Sequence, residues 1–262
     1  MRSLRNNKEL WDLTGQVAIV TGGAAGLGAQ MSYALGEAGA NLVLAARNLE
    51  RCKEAAQKMQ SELGIKVFPA QVDVKEDATV DALYESVMKE YGRVDILVNN
   101  SGATWGAPSL EFPINGWRKV IDTNLTGSWH MAQKAAQIMA KQNYGRIINM
   151  ASLAAFVGAP AEIMDTVAYQ ASKAAIAGLT KDLAVKWAKH NITVNAIAPG
   201  WFRTKMTAGT LEKSEEIMLP FIPQRRFGGE DELKTAVLFL AAPGSGYCTG
   251  VVLSVDGGWV AQ

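Results

Sequence analysis

Short apolar runs alternate with longer amphipathic stretches along almost the whole chain. QVAIV (16–20) is β-branched and too short for a helix, so it reads as a strand. A helical stretch follows over about 26–39 and closes at Gly39. The same alternation then repeats. NLVLAA (41–46), KVFPAQVD (66–73), VDILVNN (94–100), GRIINMAS (145–152), ITVNAIAP (192–199) and GVVLSVDGG (250–258) read as strands. Between them the pattern predicts helices over about 49–63, 76–91, 114–142, 167–190 and 230–241. Apolar strands separated by helices mean a parallel sheet buried on both faces. The expectation is an α/β fold with about seven parallel strands and helices on both sides. No linker, repeat or low-complexity segment divides it, so residues 1–262 are read as one domain with 1–11 as an N-terminal extension. The stretch 201–226 breaks the rhythm with aromatics, charges and prolines. It follows a strand whose carboxyl end should reach the ligand-binding edge of the sheet, so it is expected to be a substrate lid.

Composition narrows the partners. The 26 basic residues meet 25 acidic ones, so nothing in the charge balance calls for nucleic acid or an anionic membrane. No apolar run approaches the roughly 20 residues needed to cross a bilayer. The first 15 residues lack the apolar core of a signal peptide, which points to a cytoplasmic protein. Cys52 and Cys248 lie far apart in no metal-like spacing and read as free thiols, and no metal site is expected. The tripeptides NLT at Asn124 and NIT at Asn191 match the glycosylation pattern by chance.

The first candidate chemistry lies in VAIVTGGAAGLGAQM, which joins the first strand to the first helix. A glycine-rich turn there lets backbone N–H groups and a helix N-terminus meet a pyrophosphate. Gly22, Gly26 and Gly28 are spaced G-x-x-x-G-x-G, and Ala25 and Leu27 complete the turn. Ala29 and Gln30 stand where a phosphate-binding P-loop needs Lys and Ser/Thr. The whole then reads as a Rossmann-type doubly wound dinucleotide-binding domain. At the end of the second strand an acid commonly holds the ribose diol of NAD, but this chain has Ala45, Ala46, Arg47 and Asn48. A guanidinium at that place favours a 2′-phosphate through charge-assisted hydrogen bonds, so NADP is preferred over NAD.

AYQASK (168–173) sets Tyr169 four residues before Lys173 on a predicted helix, so both side chains point the same way. A free phenol has a pKa of about 10 and is a poor acid or base at neutral pH. Lowering it by about 3 units takes roughly 4 kcal/mol of preference for the phenolate. Lys173 and an oxidised nicotinamide are the two cations expected to supply it.

These pieces resemble the short-chain dehydrogenase/reductases in their branch of about 250 residues, over nearly the whole chain. TGGAAGLG (21–28) resembles the family's T-G-x-x-x-G-x-G, and NNSG (99–102) its N-N-A-G with Ser101 in place of alanine. Asn124, Ser152, Tyr169 and Lys173 fall in the order and approximate spacing of its catalytic tetrad. The resemblance implies that Tyr169 gives a proton to a carbonyl oxygen as hydride reaches carbon, with Ser152 holding that oxygen. It implies that Lys173 binds the nicotinamide ribose and that Asn124 orders a water linking Lys173 to solvent. It also places Asp73 and Val74 at the adenine, Asn100, Ser101 and Gly102 along the cofactor, and Pro199, Gly200, Phe202 and Thr204 beside the nicotinamide. The implied reaction interconverts a ketone and a secondary alcohol. An NAD-dependent alcohol or sugar-acid dehydrogenase and a non-catalytic dinucleotide sensor are the alternatives.

Around the expected nicotinamide lie Trp105, Leu153, Ala154, Phe156, Met164, Trp201 and Met206, an apolar lining for the substrate. The segment between Ser152 and Tyr169 is a few residues longer than is common in the family. Overall the chain is most similar to bacterial members described as gluconate 5-dehydrogenase-like or 3-oxoacyl reductase-like. In carrier-protein reductases the resemblance implies arginines on the two long helices; Gln137 and Val185 stand there, which weighs against an acyl-carrier substrate, with Arg225 and Arg226 as cations that could serve in another way. The family's usual homotetramer pairs those helices, and Ala135, Ala136, Ala171 and Ala175 are small enough for close contact. His130 and His190 read as structural, and Glu162 and Asp165 as solvated loop charges.

Overall fold

A computed structural model describes residues 5–204 and 207–262. Helix α1 (Asn7–Trp11) opens it, held by a capping box between Asn6 and Glu9. Then β1 (Val17–Thr21), α2 (Gly26–Glu37), β2 (Asn41–Ala46), α3 (Leu49–Leu63), β3 (Val67–Gln71), α4 (Asp77–Tyr91) and β4 (Ile96–Asn99) alternate as the pattern predicts. Helices α5 (Ile114–Ile121) and α6 (Gly127–Gln142) precede β5 (Gly145–Met150). After α7 (Ala161–Met164) and α8 (Val167–Trp187) come β6 (Ile192–Pro199), α9 (Ala208–Met218), α10 (Lys234–Ala241) and β7 (Val252–Val255).

The seven strands form one parallel sheet in the order β3-β2-β1-β4-β5-β6-β7. Every residue of β1, β4, β5 and β6 is buried. The strands look uniformly apolar because both faces are covered, yet the two-residue period survives in the packing. Ala18 and Val20 of β1 join the core under α2, α3 and α10, while Val17 and Ile19 join the core under α4, α6 and α8. Strand order reverses between β1 and β4, which opens a crevice at their carboxyl ends. None of the helices of the described residues is long and apolar enough to cross a membrane.

The structure departs from the sequence pattern in specific places. The expected helix over 114–142 is two helices, parted by a π-helical turn at Asp122–Thr126. The irregular stretch after β6 contains α9 and a 3₁₀ turn at Leu219–Phe221. The last helix starts at Lys234 rather than near 230. Ala135 and Ala136 are buried against the sheet and are not free for helix pairing, whereas Val185 is 81% exposed. Ala135 and Ala136 lie on the face of α6 that packs in the core with Ile19, Leu97 and Ile147.

Candidate active site

A cleft of about 1210 Å3 runs over the carboxyl ends of β1, β2, β4, β5 and β6. One end is built by the glycine turn. Gly22 at φ +66° and Gly26 at φ +52° take the left-handed conformation that favours glycine. A Cβ at Gly28 would stand 2.2 Å from the Gly22 carbonyl oxygen and 2.6 Å from Asn100 Nδ2, so only glycine fits. Thr21 ties this turn to the next strand: its Oγ1 accepts N–H groups of Asn100 at 2.9 Å and Ser101 at 2.8 Å. Asn100 Nδ2 returns a bond to the Thr21 carbonyl at 2.9 Å. Gly22, Ala25, Gly26, Leu27, Gly28, Asn100, Ser101 and Gly102 all line the cleft.

Further along lie Arg47, Asp73, Val74 and two cations that the sequence reading missed, Arg51 and Lys75. Arg51 is one turn beyond Arg47, a spacing that could have flagged it. Asn48 is different from its expectation. Its side chain accepts the Arg51 N–H at 3.0 Å and caps α3, and it does not line the cleft.

The other end gathers Ser152, Tyr169 and Lys173 with Pro199, Gly200, Phe202 and Thr204. Tyr169 and Lys173 lie one turn apart on α8, and Ser152 follows β5. The Lys173 ammonium donates to the Met150 carbonyl at 2.6 Å and sits over the Tyr169 ring, 5.5 Å from its centroid. Burial lowers its pKa to about 8. Burial also raises the Tyr169 phenol, with the Ser152 hydroxyl working the other way. This corrects the expected lowering by Lys173. Among protein groups the desolvation of the phenol wins.

Asn124 stands behind the cleft wall, only 1% exposed. Its Oδ1 accepts the Ala103 N–H at 2.7 Å, and its Nδ2 donates to the Ala103 carbonyl at 3.0 Å and to Ser172 Oγ at 2.9 Å. These bonds fall in the π turn, a common distortion at functional sites. Both amide N–H groups are thus engaged, and the backbone carbonyl of Asn124 accepts from the Ser128 hydroxyl at 2.7 Å.

The expected substrate residues divide. Leu153, Met164 and Trp201 come together with Leu211, Met218 and Ile222 in an apolar cluster beneath α9. Ala154 is buried in the turn after Ser152, and Phe156 is half exposed. Trp105 packs on Gly116 with Lys119 Nζ 5.0 Å from its ring centroid. None of these residues lines the cleft itself, and Met206 lies outside the described residues. The sequence reading also missed Lys119, Arg203, Thr207 and Glu212, which do line it. Arg203 holds both carboxylate oxygens of Glu215, at 2.7 and 2.8 Å, and so fastens α9 beside the cleft.

Known proteins resemble this chain over nearly its whole length. The family profile described as enoyl-(acyl carrier protein) reductase matches residues 22–260. The 2-dehydro-3-deoxy-D-gluconate 5-dehydrogenase of Dickeya dadantii is 38% identical over 256 residues, covering 96% of this chain and 98% of that protein. A short-chain type dehydrogenase/reductase from Mycobacterium marinum superposes with a TM-score of 0.92 at 34% identity, covering 97% of this chain and 99% of that one. A gluconate 5-dehydrogenase from Burkholderia cenocepacia, solved in complex with NADP and tartrate, gives a TM-score of 0.93 at 32% identity over 98% of this chain and 100% of its own. The chain belongs to the short-chain dehydrogenase/reductase family of NAD(P)-dependent oxidoreductases acting on CH–OH groups.

Proposed function

We propose that this protein interconverts a ketone and a secondary alcohol with NADP(H) as cofactor and Tyr169 as the acid and base. The observation that carries this reading is the meeting of Tyr169, Lys173 and Ser152 at one end of a cleft whose other end is a glycine cradle. The cradle fits a dinucleotide: the space a Gly28 side chain would need is already taken by backbone, so the turn is as tight as a pyrophosphate requires. The cofactor, when bound, supplies or accepts the hydride. The protein's own groups do the rest. Ser152 holds the carbonyl oxygen, and the Tyr169 hydroxyl delivers a proton to it or takes one back. Lys173 keeps a positive charge beside the phenol, and the Asn124 turn lines up the route by which the proton is replaced.

Burial keeps the phenol protonated, so the acid is loaded for reduction at neutral pH. Lys173 is an ammonium below about pH 8 and an amine above it. Reduction uses both protonated groups, so its kcat/KM should fall as pH rises through about 8, while alcohol oxidation should rise. Steady-state rates in both directions between about pH 7 and pH 10 check this, and a flat pair of profiles contradicts it.

Arg47, with Arg51 beside it, is the proposed clamp for the 2′-phosphate. Arg47→Leu should weaken NADPH binding about tenfold or more, since charge-assisted hydrogen bonds are worth about 1.5–3 kcal/mol, and leave NADH binding unchanged. Titration by cofactor fluorescence reads both; wild-type protein binding NADH as tightly as NADPH overturns the NADP assignment.

The substrate is a small ketone with apolar bulk, and the segment after β6 is the proposed lid: Arg203, Thr207, Ala208 and Glu212 line the cleft, while Trp201 and Leu211 anchor the segment in an apolar cluster behind it. Gln137 and Val185 are both exposed and offer an acidic carrier no cation. The relatives that act on sugar acids keep that class in the screen. The protein works as a cytoplasmic homotetramer in this reading. The exposed Val185 and the stacked Trp129–Trp187 pair, 6.2 Å apart, are the apolar features of the α6 and α8 faces.

A further inference from the structure

One buried hydroxyl in the catalytic helix has no part in the chemistry above. Ser172 precedes Lys173 and is fully buried. Its Oγ donates to the carbonyl of Tyr169 at 2.8 Å, one turn back on α8. That bond spends its only proton, so its lone pairs are left to accept. The Asn124 Nδ2 donates to it at 2.9 Å. Ser172 therefore bridges the backbone of Tyr169 and the side chain of Asn124, which come from different elements 45 residues apart in sequence.

The bridge settles which way Asn124 points. Ala103 offers one N–H and one carbonyl, which take the Asn124 Oδ1 and one of its two amide protons. The second amide proton needs an acceptor in a place with no solvent, and the Ser172 hydroxyl is that acceptor. On the other side of the π turn the Ser128 hydroxyl donates to the Asn124 carbonyl. The Ser128 carbonyl in turn accepts from Asn99, which reaches Asn149 at 3.0 Å, and Asn149 donates to Thr180 at 3.0 Å. Thr180 is again on α8. The polar chain leaves the catalytic helix at Ser172 and rejoins it at Thr180, by way of the π turn and the centre of the sheet.

We infer that Ser172 is a positioning residue, one that sets the π turn carrying Asn124 in register with Tyr169 for proton delivery. This rests on the reading of Tyr169 as the acid. Ser172 does not line the cleft, and of its two partners only Asn124 belongs to another element, so the coupling to test is the one between Ser172 and Asn124.

The test is a double-substitution cycle on the full-length enzyme, with the ketone it reduces fastest. Ser172→Ala should lower kcat about tenfold and shift the apparent pKa of kcat/KM, while the NADPH dissociation constant stays within about twofold. In an Asn124→Ala background the same change should have no further effect on kcat. Ser172→Cys keeps nearly the same volume with a poor acceptor, and should fall between serine and alanine; it serves as the probe if the alanine variant does not fold. A Ser172→Ala enzyme with wild-type kcat and pH profile, or effects that multiply in the double variant, overturns the inference. Tyr169→Phe run alongside separates the two ideas. If it is as active as wild type, the reading of Tyr169 has failed; if it is inactive while both Ser172 variants behave as wild type, only the role of Ser172 has.

Discussion

Tyr169→Phe should lower the rate of NADPH-driven ketone reduction about a thousandfold and leave NADPH affinity unchanged. General acid–base catalysis by a placed side chain contributes about 10²–10⁴-fold, and here the hydroxyl that carries the proton, with its hydrogen bond to Ser152, is the group removed. The phenylalanine ring keeps the packing of the residue and the contact with the Lys173 ammonium, 5.5 Å from the ring centroid. Lys173 retains its bond to the Met150 carbonyl, so the wall of the cleft should not move. The lost rate should appear in kcat rather than in KM, because the proton moves in the transition state and adds little to ground-state binding. Single-turnover rates with saturating NADPH would read this directly. A variant with more than about a tenth of the wild-type rate would mean that another group carries the proton.

Gly28→Ala should abolish useful cofactor binding, with NADPH affinity down about a hundredfold. The new methyl would stand 2.2 Å from a backbone oxygen and 2.6 Å from an amide nitrogen already bonded to the Thr21 carbonyl. Neither neighbour is the free end of a flexible chain, so the turn must open or α2 must shift. Overpacking of this kind costs about 1–3 kcal/mol in stability, and the displaced turn is the surface that meets the pyrophosphate. Gly178→Ala is the matched control. It lies in α8 with no atom within 4 Å of the added methyl, and should stabilise the fold by about 0.5–1 kcal/mol without touching binding. Thermal melts with and without NADPH compare the two. If Gly28→Ala is stabilised by NADPH as strongly as wild type, the cradle is not where the pyrophosphate binds.

Much of this was legible in the residues, for reasons that differ from place to place. Seven strands and their order of alternation follow from apolar runs of the right length, since a doubly covered sheet makes its strands uniformly apolar. Tyr169, Lys173 and the glycine turn are local features, readable from spacing on one helix and one turn. The π turn at Asp122–Thr126 was not legible, because it is set by bonds from Asn124 to Ala103, 21 residues earlier in the chain. Helix α9 was hidden by the mixture of charges that fastens it through Arg203 and Glu215. The direction of the Tyr169 shift depends on how dry the cleft end is, and no spacing encodes that. Asn48 shows the opposite failure: the residue type suits a ligand, but the local backbone needed a cap first.

The central claim is that one hydride passes between the nicotinamide and a carbonyl carbon at the end of the cleft where Tyr169 stands. The most direct measurement follows the hydrogen itself. The enzyme is given NADPH carrying deuterium at the transferable position of the nicotinamide and the ketone it reduces fastest, in ordinary water, and the alcohol is analysed by NMR. Deuterium on the carbinol carbon, with solvent hydrogen on the oxygen, is the predicted result. An alcohol whose carbinol carbon carries solvent hydrogen, or cofactor that is consumed with no label in the product, would contradict it.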